Sequence, residues 1–339
     1  MAKILITGAT GFIGFHLTRA LLEQGHEISC LVRRSSKLDR LAGLPIRRAD
    51  GDITDAESLR RVVPGYDAVY HLAGLVKAIH VQQLYQINCE GVANVAQACA
   101  AQTTPPLLLV VSSLAAMGPS TRLRPRLESD PPAPVSHYGR SKLAGEQAAR
   151  QWAKEVPITI LRPPVVFGEC DSATYEIFRP IARYGVHVVP GWRTQRVSLI
   201  HADDLLQAMI LAAQRGKRIL CNPADGFAAA QGCYFAPAER DLTFAEMGRM
   251  MGAALGRRRT CVVRIGPIVV WTFGLIATAF SQLRGQAWYF NFDKAREALA
   301  GSWTCSGNAA ARELGFAVTA SLDERMRQTA NWYREHGWL

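Results

Sequence analysis

"KILITGATGFIGFHLTRALLEQGHEISCLVRR", Lys3 to Arg34, is the stretch that decides the fold. Ile4 to Ile6 is an apolar run that suits a strand buried on both faces, and Phe12 to Leu22 carries helical spacing. Gly25 ends the helix, and Ile28 to Val32 is the next strand. Between the first strand and the helix stand Gly8, Gly11 and Gly14, spaced G-x-x-G-x-x-G. A Cβ at these positions would hold a pyrophosphate away from the helix N-terminus, where free N–H groups and the helix dipole attract anions. Such a trio alone is weak evidence. Lodged between a strand and a helix in a unit of about thirty residues, it points to nucleotide binding on an α/β fold.

An NAD-preferring site usually has a carboxylate after the second strand to take the ribose hydroxyls. Here the chain reads "VRRSSK", so Arg33, Arg34, Ser35 and Ser36 offer donors and no acid. A guanidinium pairs with a 2′-phosphate that a carboxylate would repel, which favours NADP(H). NAD(H) stays open, because arginine also stacks on adenine.

The rest of the composition fits a globular chain, not a disordered one. The chain has 339 residues, 49% apolar and 20% charged, enough for a large core in about one or two domains. The net charge of +11 favours phosphorylated ligands, anionic lipid or nucleic acid without choosing among them. No nucleic-acid motif or aromatic platform accompanies that charge, so a nucleic-acid partner is set aside. The eight cysteines include no C-x-x-C pair and read as reduced thiols, which points to a cytoplasmic location. The apolar run in "MAKILITGATG" is too short for a signal peptide.

The segment "VSHYGRSKLAGEQAARQWAKE" puts Tyr138 and Lys142 one helical turn apart on the same face. A phenol, with an ordinary pKa of about 10, is a poor acid-base group at neutral pH, and a nearby ammonium brings the phenolate toward the working range. Upstream, "LLLVVSSLAAMG" is a continuous apolar strand that ends in Ser112 and Ser113, where the sheet's carboxyl edge would meet a cofactor.

With these residues in place, the chain resembles the extended short-chain dehydrogenase/reductase superfamily nearly end to end. "TGATGFIG", with Gly8, Thr10, Gly11, Phe12, Ile13 and Gly14, is similar to its phosphate loop. "GDITD" (Asp52, Ile53) resembles the adenine-contacting turn and "HLAG" (Ala73, Gly74) the strand end beside the nicotinamide ribose. Asn88 in "YQINCEGVANV" matches the family's asparagine, and "LRPPVVFG" and "VSLIHADDL" match two later segments. Pro164 and Val165 join the cofactor-contacting set by the same resemblance. It implies Tyr138 as the acid-base group, Ser113 as the residue that positions the substrate oxygen, and Lys142 as the residue that binds the ribose and lowers the tyrosine pKa. It also implies a homodimer. The fold implied is a Rossmann doubly wound parallel sheet, residues 1–165 plus 197–222, with a smaller and mostly helical substrate domain, 166–196 plus 223–339.

Fold does not fix substrate. Sugar-nucleotide epimerases and dehydratases of this group carry an asparagine where this chain has Val165, preceded by Pro163 and Pro164, so this wall is apolar. The pattern is similar to the branch that holds 3β-hydroxysteroid dehydrogenases, sterol-4-carboxylate decarboxylating dehydrogenases and dihydroflavonol-type reductases. It implies an oxidoreductase that works on a hydroxyl or keto group of an apolar, sterol-, isoprenoid- or lipid-like small molecule. Two other readings are a nucleotide-sugar epimerase or dehydratase with tightly held NAD, and an NADP(H)-binding sensor or scaffold without chemistry. Arg193 and Arg196 are candidates to hold a phosphate of a nucleotide-linked substrate.

The remaining signals are structural. The methionines of "LTFAEMGRMMGAALGRRR" fall at helical spacing and read as core. "HADDL" opens a helix on which an aspartate is the natural cap, so His201, Asp203 and Asp204 are not read as a metal site. His71 reads as packing, and residues 125–134, "PRLESDPPAP", as a proline-rich loop at the site rim. "IGPIVVWTFGLIATAFSQL", Ile265 to Leu283, has no charge over nineteen residues, at the lower length limit of about 17 to 20 for a span. Gly266, Pro267, Gly274, Ser281 and Gln282 weaken it, and a span would carry the closing segments away from the site. It reads first as a lid or core helix over the substrate pocket. Attachment of 257–284 to the inner face of a membrane stays open, with Arg257 to Arg259, Arg264 and Arg284 on anionic head groups.

Overall fold

The computed structural model describes residues 1–121, 124–222, 226–288 and 290–339. The strands are β1 (Lys3–Thr7), β2 (Glu27–Val32), β3 (Arg47–Asp50), β4 (Ala68–His71), β5 (Leu107–Val111), β6 (Ile158–Arg162), β7 (Val165–Phe167), β8 (Val186–Pro190), β9 (Arg196–Val197), β10 (Leu199–His201), β11 (Cys233–Phe235), β12 (Leu242–Thr243) and β13 (Cys261–Ile265). The helices are α1 (Phe12–Glu23), α2 (Ala56–Val62), α3 (Val81–Tyr85), α4 (Gly91–Ala100), α5 (His137–Arg150), α6 (Ser172–Tyr184), α7 (Ala202–Arg215), α8 (Gly226–Ala230), α9 (Phe244–Ala254), α10 (Pro267–Arg284), α11 (Phe292–Ala300) and α12 (Leu322–Glu335).

Seven parallel strands form the central sheet in the order β11-β6-β5-β4-β1-β2-β3. The strand order reverses between β1 and β4, and a doubly wound sheet binds ligands at that switch point. Successive side chains leave a strand on opposite faces, so each strand feeds two cores. Ile4, Ile6, Cys30, Tyr70 and Leu109 pack under α1 and α7, while Leu5, Leu31, Val69, Leu108 and Ile160 pack under α4 and its neighbours. This is the Rossmann architecture that the sequence implied.

The sheet crosses the boundary expected at residue 222. Cys233–Phe235, assigned to the second unit by sequence, pairs with β6 as the seventh strand, and Tyr234 enters the core under α7. Residues 310–316 return to that same core through Ala310, Leu314 and Phe316. Their apolar side chains complete the flank of the sheet, which local periodicity could not foretell.

The second layer is built from α6, α9 and α12 with the pairs β8–β13, β9–β12 and β7–β10. Phe178, Met247, Met251, Met326 and Tyr333 form its core, so the methionines pack as expected. Two features differ from the sequence reading. His201, not an aspartate, caps α7 by accepting from the Asp203 N–H at 3.2 Å. Asp203 and Asp204 lie in the first turn and bind Arg325 instead. Helix α10 is not a core helix: its buried residues are Val270, Gly274, Ala277 and Ser281, Trp271 packs on Phe292, and Ile268, Val269, Phe273, Leu275, Ile276 and Leu283 face outward. Small residues let it lie close to α11, and its bulk finds no space inside. Among the described residues, no helix is long and apolar enough to cross a membrane.

Candidate active site

The switch point brings two loops together. Gly8 has φ +76°, and a Cβ on it would lie 2.7 Å from the Ala73 nitrogen at the end of β4. Gly14 lies so close beneath that a Cβ would fall 2.2 Å from the Gly8 carbonyl. Helix α1 therefore starts directly under the loop. Its cap residue Gly11 supplies no side-chain hydrogen bond, which leaves the first-turn N–H groups of Phe12, Ile13 and Gly14 for an anion.

Beyond β2, Arg33 and Arg34 are exposed, and the Arg33 N–H donates to Ser36 Oγ at 3.0 Å to close the turn. Asp52 spends one carboxylate oxygen on its own turn, accepting from the Thr54 N–H and hydroxyl at 2.9 Å. Ile53 is buried, and its carbonyl accepts from Asn94 Nδ2 at 2.9 Å. These groups fit a dinucleotide: a bare helix N-terminus for the pyrophosphate, and cations without a carboxylate where the adenosine ribose would end.

The nicotinamide end is assembled from three elements. Asn88 Oδ1 accepts from the Leu75 N–H and its Nδ2 donates to the Leu75 carbonyl, both at 2.8 Å, which fixes the chain just past Ala73 and Gly74. A Cβ on Gly74 would lie 2.9 Å from Lys142 Nζ and 3.1 Å from Asn88 Oδ1. Lys142 donates to the Val111 carbonyl at 3.0 Å, on the strand that leads into Ser113. Burial pushes the Lys142 pKa down to about 8, against the pull of the Glu146 carboxylate. Tyr138 is buried on the same helix, one turn earlier. Ser113 stands just past β5 and accepts from the Ala115 N–H at 3.1 Å. The Leu114 N–H donates to the Pro163 carbonyl at 2.9 Å, which lays residues 163–165 beside the serine. There Pro164 is buried and Val165 is 44% exposed.

Two groups that the sequence did not single out hold this arrangement. Glu146, one turn past Lys142, forms a buried pair with Arg162 at 2.6 Å and accepts from Ser112 Oγ at 2.5 Å. Despite burial, which raises it, Arg162 and Ser112 hold the Glu146 carboxyl below its usual range. The lysine spaced four before a glutamate was its only local signal. The second group comes from α11. The Asp293 carboxylate accepts from the N–H groups of His137 and Tyr138 at 2.9 and 3.2 Å. Ser136 Oγ donates to Glu297 at 2.5 Å, and Lys294 Nζ sits 4.8 Å from the centre of the Tyr138 ring. About 155 residues separate the two segments, so no sequence spacing could reveal this.

Three other groups singled out in the sequence are held in contacts of their own. Arg196 donates to the Asp241 carbonyl at 2.7 Å, and the Arg193 carbonyl accepts from Arg264 at the foot of α10. His71 is buried and hydrogen-bonded to Thr7 Oγ1 at 2.9 Å; burial, aided by Lys142, pushes its pKa down to about 3 and keeps it neutral. Glu169, His201 and Asp203 bring donor atoms within 4.8 Å of one another, the spacing of a metal site. His201 Nδ1 takes the Asp203 N–H and Asp203 takes Arg325 and Gln328, while His201 Nε2 faces Glu169 Oε2 at 3.3 Å. The cluster joins α7 to α12.

A doubly wound sheet with a serine, a tyrosine and a lysine at its carboxyl edge, beside a glycine-lined nucleotide loop, defines an enzyme of the extended short-chain dehydrogenase/reductase class. Residues 4–222 match the NAD dependent epimerase/dehydratase family, and the chain belongs to that family. A ceramide reductase of Caulobacter vibrioides is 31% identical over 337 residues, 99% of this chain and 96% of that protein. A 3 beta-hydroxysteroid dehydrogenase/Delta 5→4-isomerase of Mycobacterium tuberculosis is 24% identical over 287 residues, 80% of this chain and 74% of that one. Among solved structures, the UDP-glucose 4-epimerase of Thermotoga maritima shares the fold, with TM-score 0.75, 19% identity, and 98% and 99% of the two chains covered.

Proposed function

We propose that the chain is an NADP(H)-dependent oxidoreductase that interconverts a hydroxyl and a keto group on an apolar, lipid-like substrate. What supports this reading is that Lys142 reaches the Val111 carbonyl, two residues before Ser113, that Tyr138 stands one turn earlier on the same helix, and that residues 163–165 beside the serine carry no polar side chain. A bound nicotinamide supplies or accepts the hydride. Tyr138 passes the proton to or from the substrate oxygen, and Ser113 hydrogen-bonds that oxygen and orients it. Lys142, charged and held by Val111, favours the phenolate and binds the ribose. Val165 and Pro164 turn an apolar surface to the reacting group and keep water from it.

The names of the ceramide reductase and the steroid dehydrogenase support the lipid class. Arg33 and Arg34, with no acid beside them, support NADP(H) over NAD(H). The test is an assay with NADPH or NADP⁺ against keto and hydroxy lipids, ceramides and sterols among them, followed by absorbance of the reduced nicotinamide. Tyr138→Phe is expected to lose turnover roughly 100- to 10,000-fold with cofactor binding retained; unchanged turnover sinks the assignment. Mass spectrometry of the cofactor released from purified protein separates this reading from a nucleotide-sugar enzyme, which would hold NAD and recycle it.

A further inference from the structure

Helix α10 exposes one continuous apolar stripe. Ile268, Val269, Phe273, Leu275, Ile276 and Leu283 all point outward, and Ile268 and Leu283 are 80% and 86% exposed. Trp192, exposed as well, rests its ring near Gly266 at the foot of the helix and extends the stripe. A patch of this kind on a folded chain marks a surface that something covers.

The charge around it says what. Between Glu246 and Asp293 the sequence has no carboxylate side chain, yet it carries Arg249, Arg257, Arg258, Arg259, Arg264 and Arg284. Arg258, Arg259 and Arg284 are exposed, and Arg284 lies over the Phe280 ring at 4.5 Å, at the end of the stripe. A two-fold contact sets a surface against itself. A second copy would therefore bring arginines onto arginines with no acid in the segment to pair them. Phosphate head groups around an acyl layer satisfy both halves of the pattern.

We propose that the outer face of α10, with Trp192, docks on an anionic membrane surface: the apolar side chains enter the acyl boundary and Arg258, Arg259 and Arg284 take the phosphates. The inner face ties this helix to the site. Gly274 lies so close to α11 that a Cβ would meet Ala295 at 2.9 Å, and Thr278 Oγ1 accepts from the Phe292 N–H at 2.9 Å. Helix α11 in turn binds the N–H of Tyr138 and sets Lys294 over its ring. One helix thus separates the docking face from the tyrosine, which suits an enzyme that takes its substrate from the bilayer. That use rests on the function proposed above; the docking rests on the exposed face of α10, Trp192 and the arginines alone.

The test is flotation of the full-length protein with phosphatidylcholine vesicles, with and without about 30% phosphatidylglycerol. The wild type is expected to float with the anionic vesicles and to be partly released by about 0.5 M salt. Ile268→Ser/Phe273→Ser/Leu283→Ser, all on exposed side chains, should lower that binding about tenfold or more with unchanged thermal unfolding. Arg258→Gln/Arg259→Gln/Arg284→Gln should remove the preference for anionic lipid. A wild type that stays in solution, or a triple serine variant that floats as well as wild type, overturns the docking. So does sedimentation velocity that shows a dimer abolished by the serine variant without vesicle binding. Flotation without turnover on any lipid would strike the proposed reaction and leave the docking standing.

Discussion

At the residue scale, the charge state of Lys142 depends on Glu146. A lysine whose pKa burial has lowered to about 8 is an ammonium below that pH and loses its charge above it. Turnover that relies on this ammonium beside Tyr138 is expected to fall as pH rises through about 8. Glu146 is the charge that holds the Lys142 pKa up, so in Glu146→Gln the fall should begin at lower pH. The same change leaves the buried Arg162 guanidinium without its counter-charge. Breaking a buried pair from one side costs about 3–5 kcal/mol, readable by urea unfolding. A variant with wild-type stability and an unshifted pH profile would show that the pair does not govern the lysine.

At the element scale, α5 is held against a single-turn π-helix at Gln86–Glu90 that carries Asn88. The two backbones approach so closely that a Cβ on Gly145 would fall 2.0 Å from the Asn88 carbonyl. Gly145→Ala is therefore expected to push α5 away from Asn88 and to cost about 1–3 kcal/mol, as overpacking does. Because Asn88 also fixes Leu75 beside Gly74, affinity for the nicotinamide dinucleotide, NAD(H) or NADP(H), should weaken with stability. Calorimetry of unfolding and of binding would report both effects, and an unchanged melting temperature would contradict the close contact. Helix α5 itself was legible, since Tyr138 and Lys142 announce one face. The π-turn was not, because widening one turn leaves no mark in a periodicity read over three or four turns.

At the scale of the whole molecule, the C-terminal helix α12 is clamped to α7, which flanks the central sheet, by Arg325. Arg325 donates to Asp204 through Nε at 3.0 Å and through a second nitrogen at 3.1 Å, and it reaches Asp203 at 2.7 Å. Asp204 is 2% exposed. Arg325→Ala strands that carboxylate and should destabilise the chain by about 3–5 kcal/mol, seen as a lower unfolding midpoint. The loss should be smaller in the double variant Arg325→Ala/Asp204→Ala, where no buried charge is left unpaired. Equal losses in the two would show that packing, not the ion pair, holds the helix.

The sequence by itself determined the alternating strands and helices, the glycine loop, the serine at a strand end and the tyrosine and lysine on one helical face. Each is a pattern written in neighbouring residues, where backbone sterics and periodic burial act over a few positions. Only the tertiary structure decided that Cys233–Phe235 closes the sheet, that Asp293 and Lys294 cover the tyrosine, and that α10 turns its bulky face outward. Those outcomes depend on which distant surfaces compete for the same apolar area and the same charges. In α10 Gly274 lies on the inner face because a Cβ there would meet Ala295 of α11 at 2.9 Å, and most of the larger apolar side chains were left to the outside.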